Sequence, residues 1–224
     1  MISALIGCGD GPSSLTVVED LRILDLTLEP ASPVPGEVPS VDLLVADPTG
    51  QGFDTWAWWC TDTSCGDGPV DASPALTVYG LACAPGACEG PGDNLAAPES
   101  WVAGLPIEGT SFVRRTVPIS GSTANRLNDN PVLAPVGTVP EQVGVASRTV
   151  LTFAVTDTNA DTPLLYGFST WGGFASAVGT PVVDGLASLE LIAPEEPGEG
   201  VLYVVVDDGL GGSAVWTGPI GSAP

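Results

Sequence analysis

Residues 148–161 read RTVLTFAVTDTNAD, and LLYGFSTWGG follows at 164–173. Leu151, Phe153 and Val155 alternate with residues of the opposite face, the period of a half-buried strand. The run ends in an acidic turn, and an aromatic strand comes next. The same order occurs in the first half: SVDLLVADPTG (40–50), then DTWAWWC (54–60). In the earlier copy Val41, Leu43 and Val45 share a face, and an Asp-Pro turn closes the strand. A pattern of strand, acidic turn and aromatic strand that occurs twice predicts two β-sandwich modules in tandem.

Working outward, LRILDLTLEP (21–30) alternates strictly, with Leu24, Leu26 and Leu28 on one face and Asp25, Thr27 and Glu29 on the other. ASPVPGEVPS (31–40) is Pro-rich and reads as an irregular edge, where missing N–H donors do no harm. ALTVYGLAC (75–83), SFVRRTVPI (111–119), LASLELIAP (186–194), GVLYVVVDDG (200–209) and GSAVWTG (212–218) supply further strands. The long stretch 84–109 reads as loop, and SGSTANRLNDNP (120–131) as a linker. The expected fold is all-β: two tandem Ig-like, Greek-key β-sandwich domains, with a single larger sandwich as the alternative. Residues 1–18 form a truncated lipoprotein signal and tether, 19–119 the first sandwich, 120–131 the linker and 132–224 the second sandwich.

Composition narrows the function. The 224 residues carry 27 acids against five arginines, a net charge of −22, with no lysine and no histidine. A surface so acidic repels phosphate backbones and anionic headgroups, which excludes nucleic acid as a partner. Without histidine or lysine, Ser-His-Asp, Cys-His, Schiff-base and Ser-Lys mechanisms are closed. A carboxylate pair acting on a glycan remains as a hydrolase alternative. Among 27 acids such a pair arises by chance, so the expectation is a protein that is not an enzyme.

Cys60, Cys65, Cys83 and Cys88 form two C-x4-C pairs. Four cysteines allow three pairings; the expectation is the local one, Cys60–Cys65 and Cys83–Cys88, with a four-thiolate zinc site as the rival. Cys8 ends LIGC and precedes the polar run GDGPSS. Small and apolar residues before a cysteine, then a tether, are what lipidation requires. Only seven residues precede Cys8, too few for a signal peptide, so either the true start lies upstream or Cys8 is a chance residue.

EDLRILDLTLEPASPVPGEVPSVDLLVADPTG (19–50), ANRLNDNP (124–131) and LYVVVDDGLGGSAVWTGP (202–219) together resemble uncharacterised envelope lipoproteins of myxobacterial type. The resemblance implies a lipid-anchored, Ig-like envelope protein of the outer membrane and implies no activity.

Two local features bear on ligands. Asp157, Asn159 and Asp161 place oxygen side chains at alternate positions of one turn, as calcium loops do. Asp207 and Asp208 belong to the loop that meets this turn at one pole of a sandwich, so a calcium ion at the joint between modules is a candidate cofactor. The competing reading is that both are plain Asx and glycine turns. Trp56 and Trp58 are expected in the core, while Trp59, on the opposite face, and Trp101, in a loop, are candidate contact residues for a glycan. Arg114 and Arg115 point to opposite faces, and one is expected to pair with acids. The functional expectation is a binding or structural module presented to an envelope protein or glycan. A calcium-stabilised adhesion or glycan-binding module is the alternative.

Overall fold

A computed structural model describes residues 15–92, 101–106, 108–159 and 162–223. Cys8 and Asp161 lie outside them. The first module contains β1 (Arg22–Glu29), β2 (Ser40–Ala46), β3 (Asp54–Cys60), β4 (Cys65–Gly66), β5 (Ala75–Cys83) and β6 (Thr110–Pro118). β1 and β2 form a two-stranded sheet, which faces a four-stranded sheet of order β4-β3-β5-β6. The second module contains β7 (Val132–Pro135), β8 (Gln142–Val143), β9 (Arg148–Thr156), β10 (Leu164–Ser169), β11 (Gly173–Phe174), β12 (Thr180–Pro181), β13 (Leu186–Ile192), β14 (Glu199–Asp207) and β15 (Ser213–Ser222). Its sheets run β11-β13-β9-β7 and β12-β10-β14-β15-β8. Short β8 pairs parallel with β15 while its chain neighbour β7 pairs with β9. The strand order makes the second module an Ig-like sandwich, and the chain as a whole is all-β with two tandem sandwiches.

The period-two segments all become strands because each has one face to bury. In the second module Leu151, Phe153, Val155, Leu189 and Leu191 meet Leu165, Leu202, Val204 and Val206 across the layers, all of them buried. In the first, Leu26 and Leu28 pack on Trp59, Leu76, Val78 and Val117. Burying a large apolar side chain contributes roughly 1.5–3 kcal/mol, so these alternating faces decide the register.

Several details differ from the sequence reading. Trp59 lies between the sheets of the first module, 7% exposed, with its Nε1 donating to the Gly68 carbonyl at 3.1 Å. It is therefore a core residue and not an exposed contact. Trp58 points out of the sandwich yet is 1% exposed, because the segment around Ala87, Cys88, Trp101 and Leu105 roofs that face. Trp101 is half-buried there, edge-on to Trp58 at 6.1 Å. Periodicity could not separate the two faces, since both are apolar and both are covered. The disulfides follow the local pairing, Cys60–Cys65 and Cys83–Cys88; the second ties this roof to the end of β5.

A register shift between Ile23 and Asp25 turns Leu24 away from Leu26 and Leu28, as a bulge re-aims side chains. Leu24 instead packs toward the second module. Residues 15–18, read as the end of a tether, lie on the second module. Val18 N–H donates to the Ser169 carbonyl at 2.8 Å and Ser169 N–H to the Thr16 carbonyl at 2.9 Å. Thr16 Oγ1 also accepts from Phe174 N–H at 2.8 Å. The 120–131 segment is a bonded wedge and not a free linker. Buried Ser32 Oγ donates to the Asn128 carbonyl at 2.7 Å, accepts from Asn128 N–H at 2.9 Å and bonds Ser120 Oγ at 3.0 Å.

Candidate functional site at the joint between the modules

The modules pack side by side. The β1–β2 hairpin lays Leu24, Leu44 and Ala46 on the outer face of β10 and β14, against Phe168, Val201 and Tyr203, with Val18 beside them. Arg22 covers the Phe168 ring at 5.6 Å, a cation–π contact. Tyr203 is 8% exposed. Burial and then the Asp47 charge push its phenol above the ordinary value.

A polar network sits beside this apolar seam. Asp25 and Thr27 are on the face of β1 turned toward β15. Arg115 leaves β6 on the same side as Val113 and Val117. Its Nη2 donates to Asp25 Oδ1 and to Asp207 Oδ2, both at 2.9 Å. Its Nη1 donates to Ser213 Oγ at 2.9 Å. Asp25 Oδ2 accepts from Ser213 Oγ at 2.7 Å and from Thr27 Oγ1 at 2.9 Å. The Asp25 side chain is only 2% exposed, so its charge is tolerable because each oxygen has donors. Arg115, Asp25 and Thr27 come from the first module, Asp207 and Ser213 from the second.

Asp207 and Asp208 are adjacent on one strand end and therefore point apart. Asp208 turns to the wedge. Its Oδ2 accepts from Asn128 Nδ2 at 2.8 Å, and its Oδ1 from Leu210 and Gly212 N–H at 2.7 and 2.9 Å. Burial pushes the Asp208 carboxyl above its ordinary value, the Asn128 and backbone donors pull it back, and the Asp157 charge adds to the rise. Asn159 Nδ2 donates to Asn128 Oδ1, and Asn159 N–H to Asp157 Oδ1 at 3.0 Å. Among the described residues, buried Asp157 Oδ2 has no hydrogen-bond partner. Asn130 bridges the modules, donating to the Leu28 carbonyl at 2.8 Å and accepting from Ser213 N–H at 3.0 Å.

Of the candidate calcium ligands, Asp157, Asn159 and Asp208 gather at this pole, while Asp207 is drawn to Arg115. Among the described residues no group of three or more Cys, Asp or Glu is arranged to hold a metal. Arg115 supplies a guanidinium that bonds carboxylates of both modules. Sequence reasoning missed the partners Asp25, Ser213, Asn128 and Asn130. Small polar residues in turns are common, and only the fold shows which of them face another module.

Leu24, Arg115, Tyr166, Phe168, Val205 and Asp207 line a cleft of about 210 Å³ at the seam. Its carboxylates are held by Arg115, so the arrangement offers neither a free acid–base pair nor a nucleophile with a base beside it. It can resist hinge motion and display the two modules at a fixed angle.

No protein-family model matches the chain, and no curated protein matches it. Among solved structures, the D00-D0 domain of intimin is similar with a TM-score of 0.31 at 13% identity, over 89% of this chain and 100% of that one. The fibronectin(III)-like modules of Clostridium thermocellum CbhA give 0.35 at 11% identity, over 88% and 94%. FdeC, an Escherichia coli adhesin, gives 0.21 at 15% identity, over 89% and 64%. With scores this low, the architecture stated above rests on the strand pairings of the chain itself.

Proposed function

We propose that the chain is a non-enzymatic module of a bacterial cell envelope. It is anchored by lipid on Cys8 in the outer membrane and holds two rigidly joined sandwiches toward a protein or glycan partner. The observation that carries the reading is the joint. Buried Asp25 and half-buried Arg115 bind one module to the other, and neither is left poised for chemistry. Two short-loop disulfides support an oxidising compartment. A net charge of −22 supports a soluble surface that stays off anionic headgroups.

The test is the intact mass of the mature protein purified from its native membrane, expressed with its upstream DNA. The expected product starts at Cys8, carries acyl mass and has its four other cysteines oxidised. An unmodified Met1 with five free thiols would overturn the envelope reading.

A further inference from the structure

We infer that the free edge of β2, between Val41 and Val45, is a docking groove for an extended partner segment of alternating apolar and basic residues, which adds to the β1–β2 sheet as a third strand. The second module shows what the first one lacks. There β9 is hydrogen-bonded on both sides, to β7 and along seven residue pairs to β13. β2 holds the equivalent place in the first module. It lies opposite β5, with Leu43 Cδ2 only 2.5 Å from where a Cβ on Gly80 would be. Yet β2 pairs with β1 alone among the described residues. The chain between β4 and β5, DGPVDASP (67–74), forms no strand. Its two prolines remove donors that a ladder would need. Only Val70 engages, exchanging bonds of 2.8 Å with Glu37 and Gly36. That plugs the space ahead of Ser40; among the described residues no strand pairs with this edge of β2 beyond it.

An open edge presents unpaired N–H and C=O groups in a row. The side chains carry the same mark. Leu151, Phe153 and Val155 of β9 are buried, whereas Val41, Leu43, Leu44 and Val45 of β2 are each only half-buried. An added strand would cover both faces of this edge. Main-chain bonds then supply affinity and alternate side chains supply specificity.

Charge selects the occupant. Asp42 on β2, Glu29 at the hairpin end and Asp54 at the start of β3 are exposed, and half-buried Asp47 follows the strand. Arg22, opposite Ala46, is the cation at the far end of the hairpin. A second copy of the chain would set −22 against −22, whereas a basic segment is attracted to this edge. The inference is independent of lipidation and holds for the chain in any compartment.

The test is backbone hydrogen exchange of the full chain at low salt, with and without a synthetic heptapeptide of alternating valine and arginine. Amides within 41–45 are expected to slow at least tenfold with the peptide. The apparent affinity should fall about three- to fivefold in Asp42→Lys, the scale of one exposed charge pair, and fall further as salt is added. Asp42 is exposed, so this variant leaves the fold intact. Three results overturn the inference. One is no added protection at 41–45 with millimolar peptide. Another is equal protection by an alternating valine–glutamate peptide. The third is a free protein that sediments as a dimer with these amides already protected, which would make a second copy the occupant.

Discussion

Replacing Arg115 by Met keeps the aliphatic stem and removes the charge that links the modules. Asp25 is then left with a side chain 2% exposed and only the hydroxyls of Thr27 and Ser213 as donors. Removing one partner of a buried ion pair costs about 3–5 kcal/mol. Asp207 is 34% exposed, so water replaces its lost partner and its share is that of a surface pair, below about 1 kcal/mol. Arg115 itself keeps 17% exposure, which places the sum at the lower end, about 3 kcal/mol. Urea unfolding followed by tryptophan fluorescence is the assay. With a urea slope of about 2–3 kcal/mol/M, the midpoint should fall by about 1 M. Asp25→Ala should cost less, because Arg115 keeps Asp207, Ser213 and solvent. The double variant should show a coupling of about 2 kcal/mol between positions 25 and 115. A loss below about 1 kcal/mol for Arg115→Met, or a coupling near zero, would refute the charge-linked joint.

Three further outcomes follow from the same geometry. Gly211 sits at φ +103°, and a Cβ added there would stand 2.6 Å from Val117 Cγ1, so Gly211→Ala should cost about 2 kcal/mol through strain and overpacking, read as a lowered urea midpoint. Replacing Cys83 and Cys88 by Ala opens a loop of sequence separation 5, worth about 2 kcal/mol on the loop-entropy scale; the roof over Trp58 should loosen and the emission of Trp58 and Trp101 shift to the red. Arg126 donates to both oxygens of Glu37 at 2.8 and 3.1 Å, and this bonding holds the Glu37 carboxyl below its ordinary 4.5. A depressed folded value means the pair stabilises fully above the unfolded value and is lost as pH falls through the folded one. Arg126→Met should therefore flatten the acid limb of the stability curve below pH 4.5, measured by urea midpoints across that range.

The starts of the long strands were legible in the sequence to within a residue, whereas β15 runs on to Ser222 and short β4, β7, β8 and β12 were not read as strands. LRILDLTLEP, DTWAWWC, ALTVYGLAC and LASLELIAP each carry a period of two that only a pleated, half-buried segment satisfies. The two C-x4-C pairs were legible for the same local reason: each bridge closes within one turn or loop end. What each face meets was not legible. DTWAWWC alternates between two apolar faces, so Trp58 and Trp59 look alike until Ala87, Cys88, Trp101 and Leu105 roof one side. Leu24 belongs with Leu26 by spacing, and a single unpaired residue in β1 reverses it.

The sequence by itself determined the alternating strands of an all-β chain and the exclusion of histidine- and lysine-based chemistry, while the local disulfide pairing was one of three that it allowed. All of these are properties of neighbouring residues or of composition. Only the tertiary structure decided that Arg115 links the modules. It alone decided that residues 15–18 and 120–131 are bonded into the joint, and that among the described residues β2 pairs with β1 alone. These depend on which surfaces meet across 80 to 190 positions of chain, as in Asn128–Asp208 and Asp25–Ser213. A hydrogen bond is specified by geometry at a few ångströms, and no period in the sequence records a partner that distant.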